Sequence, residues 1–148
     1  RFNIQDMKYF TIKELTNTSY KSIDNTPSNV QTFNLVALCE RVLDPAREGI
    51  GLAITVSSGF RNKIVNQLVG GAVNSQHTTG EAADLVCSDN AKLFNYIRNN
   101  LIFDQLIWEF GDDTRPTWVH VSYSRQGVNR KEVLRARHID GKIKYFHV

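Results

Sequence analysis

Ser75-Gln76-His77-Thr78-Thr79-Gly80-Glu81-Ala82-Ala83-Asp84 is the stretch on which the reading of this chain turns. His77 and Asp84 bracket a Thr-Thr-Gly turn, and an apolar run, Ala82 to Cys87, follows at once. That pattern predicts a tight turn feeding a strand, with an imidazole and a carboxylate held where both can reach one metal ion. Two ligands do not make a site. A catalytic zinc commonly takes three protein ligands and keeps a fourth position for water, whose pKa then falls to about 7.

The third ligand comes from Trp118-Val119-His120-Val121-Ser122, a strand-like alternation centred on His120. Asp104 to Phe110 reads as the preceding strand and Gly111 to Pro116 as the loop between them. If that loop closes a hairpin pairing Phe110 with Thr117, Glu109 falls opposite Trp118 and Ile107 opposite His120. Cross-strand partners share a face, so Glu109 and His120 become diagonal neighbours there. Glu109 is the expected general base, with an ion-pair partner for an arginine as its structural alternative. Arg61 follows a strand and a Ser-Ser-Gly turn, and its planar guanidinium suits a substrate carboxylate. Trp118, on the face of His120, either walls a cleft or fills core.

Outward from the site, Thr26-Pro27 predicts a helix start with Thr as cap and Pro at the first position. An apolar stripe from Val30 through Val42 carries that helix to Asp44-Pro45, where the proline is expected to stop it. Leu52 to Val56 reads as a buried strand, Lys63 to Val69 as a short helix closing on Gly70-Gly71, and Ala82 to Cys87 as a second strand. Ser88 is the expected cap of a helix presenting Leu93, Phe94, Ile97 and Leu101 to the core. Asp140-Gly141 marks a late hairpin. Helices early and antiparallel strands late make the chain α+β, a small antiparallel sheet with helices packed on one side.

At 148 residues, 41% hydrophobic and 22% charged, residues 1–148 read as one domain large enough for a real core. The segment ahead of Met7-Lys8-Tyr9-Phe10, residues 1–7 at its widest, reads as a tag or upstream remnant. Cys39 and Cys87 lie in apolar contexts on separate elements, as buried free thiols do. A net charge of +3 suits an anionic partner such as a cell wall. No recognition helix or RNA-binding aromatic motif points to nucleic acid. No run approaches the roughly 18 apolar residues of a membrane span, and a monomer is expected. His138 and His147, in the C-terminal hairpin, read as surface or packing residues.

Ser58-Gly59-Phe60-Arg61, Ser75-x-His77-x-x-Gly80-x-Ala82-x-Asp84 and Trp118-Val119-His120-Val121-Ser122 together resemble the zinc D-alanyl-D-alanine carboxypeptidase family of peptidoglycan peptidases. That family includes vancomycin-resistance D,D-dipeptidases, phage endolysins that cut L-alanyl-D-glutamate bonds and, more distantly, the hedgehog signalling domain. Phe10 to Leu15, Ile23 to Pro27 and Asn129 to Leu134 look like the opening and end of a phage and bacterial branch, so the resemblance spans Lys8 to Leu134. It implies zinc held by His77, Asp84 and His120, with Arg61 and Ser75 contacting a peptidoglycan stem peptide. Several relatives carry the catalytic acid three residues before the last histidine. Thr117 stands there in this chain, so the base moves to Glu109, with Asp112 and Asp113 as runners-up.

The resemblance thus implies a zinc peptidase acting on stem peptides as a carboxypeptidase or an endopeptidase. A zinc-holding binding module without catalysis is the alternative. The opening residues lack the basic-then-apolar pattern of a secretory signal. This suits a phage enzyme kept in the host cytoplasm until lysis, or a periplasmic or extracellular one whose leader has been removed.

Overall fold

The computed structural model describes residues 3–148; Arg1 and Phe2, part of the segment read as a tag or remnant, lie outside the described residues. A single 3₁₀ turn, Ile4–Asp6, leads into α1 (Ile12–Leu15), capped by Thr11. The next helix, α2 (Asn29–Leu38), begins two residues later than Thr26-Pro27 predicts. Ser28 is its cap, and a capping box decides the matter: Gln31 N–H donates to Ser28 Oγ while Ser28 N–H donates to Gln31 Oε1.

Asp44-Pro45 does not end this helix. Residues Cys39–Leu43 widen into a π turn, closed by Asp44 N–H bonding to Cys39 O, and α3 (Asp44–Ile50) continues with Pro45 in its first turn. A proline needs no N–H in a first turn, and the widened turn accommodates its ring. Gly51, at φ 68°, terminates the helix instead. The strand expected over Leu52–Val56 is shifted: β1 spans Thr55–Ser58 and is half exposed, because it forms an edge of the sheet. Then come α4 (Lys63–Leu68), a 3₁₀ turn (Gln76–Thr79), β2 (Ala82–Val86) and α5 (Asn90–Asn100). Asp89 rather than Ser88 caps α5, accepting from Lys92 N–H at 3.0 Å.

Strands β3 (Gln105–Glu109), β4 (Trp118–Ser122), β5 (Glu132–Ile139) and β6 (Lys142–His147) complete a six-stranded sheet of order β1-β2-β4-β3-β5-β6. All neighbours are antiparallel except β3 and β5, which run parallel. The fold is α+β, as expected, with that parallel pair as the departure.

Strand pleating sorts the sheet into two faces. Ala83, Leu85, Leu106, Val119 and Val121 point into the core, where they meet Leu35, Leu38, Leu93, Phe94 and Ile97 of the helices. The opposite face carries Asp84, His120, Glu109 and Trp118, and the polar site is built there. Cys39 is buried and Cys87 half-buried; both are free thiols, and burial pushes each thiol pKa up. No helix among the described residues is long and apolar enough to cross a membrane.

Candidate metal centre

The register of β2, β4 and β3 places the chemistry. Asp84 pairs with His120, His120 with Ile107, and Glu109 with Trp118, which is the hairpin alignment that the loop length implies. Asp84, His120 and Glu109 therefore project from one face of three adjacent strands. His77 arrives from outside the sheet, on the 3₁₀ turn that Ser75 caps by accepting His77 N–H at 3.2 Å. Gly80, at φ 78°, reverses the chain into β2, and a Cβ there would lie 2.5 Å from Gln31 O. The turn and the strand together bring residues 77 and 84 face to face.

Ligand atoms of His77, Asp84 and His120 all lie within 4.8 Å of one another, and all three residues are buried. Asp84 Oδ1 is 3.3 Å from His77 Nε2 and 3.0 Å from His120 Nδ1. Two ligands about 2 Å from a tetrahedral zinc stand roughly 3.3 Å apart, so the spacing fits this ion. Electrostatics points the same way. His77 Nδ1 lies 2.7 Å from Gly59 O, and a carbonyl only accepts, so Nδ1 carries the proton. In the neutral ring Nε2 is then a lone pair, aimed at a carboxylate oxygen. Burial pushes the pKa of His77 down, against the pull of Asp84, and so favours that neutral ring. A cation between Nε2 and Oδ1 resolves the repulsion. The Gly59 carbonyl acts as the outer partner that fixes a metal-binding tautomer.

Arg61 closes one side of the site. Its Nε donates to Ser58 Oγ at 2.9 Å, and its guanidinium nitrogens reach Asn66 Oδ1 at 3.3 Å and Asp84 Oδ2 at 3.4 Å. Gly71 sits against this arrangement: a Cβ there would come within 2.0 Å of Asn66 Oδ1 and 3.0 Å of Arg61. The second glycine of Gly70-Gly71 thus provides room for the guanidinium, while Gly70, at φ 73°, is the helix stop.

Glu109 is buried and lines the same cleft of about 670 Å³ as Arg61, Ser75, His77, Asp84, Trp118 and His120. Burial, reinforced by the charge of Asp84 and opposed by His120 and Arg61, raises its pKa to about 7. Trp118 lines the cleft rather than filling core, edge-on to Phe110 with ring centroids 5.3 Å apart. Ser75 lines the cleft, and its hydroxyl already accepts the His77 N–H.

Asp112 and Asp113 lie outside the cleft. Asp112 caps the loop, accepting from Thr114 N–H and Arg115 N–H at 2.9 Å each, while Asp113 pairs with Arg135 at 2.6 Å. His138 stacks on Phe110 at 4.4 Å, and neither it nor His147 belongs to the metal group. Ile107, expected opposite His120, lines the cleft, which also contains residues the sequence reading missed: Gln105, Arg130, Leu134, Ile143 and Tyr145. The period-two alternation of β5 and β6 would have assigned the faces of Leu134, Ile143 and Tyr145, had the parallel pairing of β5 with β3 been known.

Comparison with curated proteins gave no match. The profile of a family described as Peptidase M15 matches residues 8–122, more than three quarters of the chain. The match stops at Ser122, short of the Leu134 to which the motif resemblance extends, yet it contains Arg61, Ser75, His77, Asp84, Glu109, Trp118 and His120. The chain belongs to the M15 peptidases, metallopeptidases whose cofactor is zinc, and its His77-Asp84-His120 group is one that can hold the ion.

Proposed function

We propose that this protein hydrolyses a peptide bond in the stem peptides of bacterial peptidoglycan, with His77, Asp84 and His120 as zinc ligands and Glu109 as the general acid–base residue. Zinc, when bound, supplies Lewis acidity toward a carbonyl and a nucleophilic water near neutral pH. Glu109 takes a proton from the attacking water and returns it to the leaving amine. A pKa near the working pH suits both transfers. Arg61 and Trp118 bind and orient the peptide from the wall of the cleft, and Ser75 contributes to the same wall. The acidic limb of turnover belongs to the Glu109 carboxyl, which must be ionised to act as a base.

The observation that carries this reading is Glu109 itself: a buried carboxyl, free of any ion pair in the described residues, one row from His120 on the cleft face of the sheet. A module that only held zinc would have no use for such a group, and burying it costs stability. The proposed site of action is the cell wall, reached after lysis or by export.

The test is digestion of purified peptidoglycan by zinc-loaded protein, with a chelator-treated control and Glu109→Gln, followed by mass spectrometry. Metal-dependent release of D-alanine identifies a carboxypeptidase, and new stem-peptide amines identify an endopeptidase. No metal-dependent product from several wall types would replace the peptidase with a binding module.

A further inference from the structure

The hairpin β5–β6 lies wholly beyond the family match, which stops at Ser122, yet it supplies Leu134, Ile143 and Tyr145 to the cleft. Its parallel pairing with β3 puts Ala136 beside Glu109, and the antiparallel return puts Tyr145 beside Ala136. Glu109, Ala136 and Tyr145 thus form one row across three strands, all on the face that carries His120. Only a methyl group separates the carboxyl from the phenol, so the ring is free to lean over Ala136 toward the site. The Tyr145 hydroxyl makes no hydrogen bond among the described residues, and the side chain is about half exposed in the cleft wall. Leu134 and Ile143 flank it with apolar surface.

From this geometry we infer that Tyr145 is a substrate-binding residue. Its hydroxyl donates a hydrogen bond to a backbone carbonyl of the peptide beside the scissile bond, while Leu134 and Ile143 receive the aliphatic part of the same residue. The C-terminal hairpin is therefore a specificity wall beside a core that already carries the metal group and Glu109. A phenol is un-ionised at neutral pH and so a donor, and partial burial with the negative charges of Glu109 and Asp84 pushes its pKa further up. This inference rests on the peptidase reading.

The experiment uses zinc-loaded full-length protein and a synthetic stem pentapeptide ending in D-Ala-D-Ala. Tyr145→Phe raises KM roughly three- to tenfold, the size of one neutral hydrogen bond, and leaves kcat within about threefold. In a Glu109→Gln background the same change weakens peptide binding by the same factor, read from tryptophan fluorescence without turnover. Phe146→Ala, on the other face of the same strand, leaves both values within about twofold and controls for loosening of the hairpin. Cleavage by wild type with unchanged kinetics and binding in Tyr145→Phe overturns the inference and leaves the peptidase reading standing. Absence of any metal-dependent product from wild type, on this peptide and on purified peptidoglycan of several wall types, overturns both.

Discussion

The carbonyl oxygen of Gly59 lies 2.7 Å from Nδ1 of His77, which forces the proton onto Nδ1 and leaves Nε2 as the metal-facing lone pair. The contact depends on a glycine. A Cβ at residue 59 would stand 2.2 Å from the backbone oxygen of Leu15, to which Phe60 N–H is also bonded. Gly59→Ala must therefore shift the segment that orients His77. Zinc affinity is expected to fall roughly 10- to 100-fold, as for loss of an outer-shell partner, measured by competition with a chromophoric chelator. An unchanged affinity would show that the ring is oriented without Gly59.

Removing zinc leaves a lone pair facing a carboxylate, so the metal stabilises the fold as well as the reaction. At free zinc near 100 times its Kd, the gain is about 2.7 kcal/mol, or roughly 8 to 10 °C in Tm for a chain of this size. Calorimetry with and without a chelator reads the difference. Asp84→Asn, which removes the carboxylate ligand, is expected to abolish most of the zinc-dependent rise.

Glu109 makes the stability of the metal-free protein depend on pH. Its carboxyl ionises near 4.5 when unfolded and near 7 when folded, so the folded state holds the extra proton between those values. Stability then falls as pH rises from about 4.5 to 7, and the loss is complete above that. Glu109→Gln removes the effect. The metal-free variant should match wild type near pH 4.5 and exceed it by about 1 to 3 kcal/mol at pH 8, by denaturant titration. Equal stability at pH 8 would place the folded carboxyl near its ordinary value.

Arg61 spans Ser58, Asn66 and Asp84 with separate nitrogens, a reach that a lysine ammonium does not reproduce. Arg61→Lys is expected to raise KM about tenfold or more and to weaken zinc binding a few-fold, because Asp84 Oδ2 loses its donor. An effect confined to kcat would contradict the binding role.

The site was legible in the sequence because its geometry is local or set by parity. His77 and Asp84 are joined by one turn, and the six-residue loop from Gly111 to Pro116 fixes the β3–β4 register that puts Glu109 near His120. Helix boundaries were less legible. Ser28 with Gln31 outcompeted Thr26-Pro27, and a π turn carried the helix past Pro45, an outcome that depends on packing around Cys39 and Val42 rather than on propensity. The C-terminal wall of the cleft was hidden for another reason. Asp140-Gly141 announces a hairpin, but nothing local to it says which strand of the sheet it will join, or in which direction.

The strand order leaves β1 and β6 as the two open edges of the sheet. Each edge is defended against pairing with another molecule. The β1 ladder is broken by an irregularity between Val56 and Ser58, and β6 alternates Lys142 and Lys144 with its apolar residues along an exposed strand. A kinked edge and a cationic one are poor templates for a seventh strand. The sheet can therefore hold a peptide cleft on one face without its edges becoming a route to aggregation.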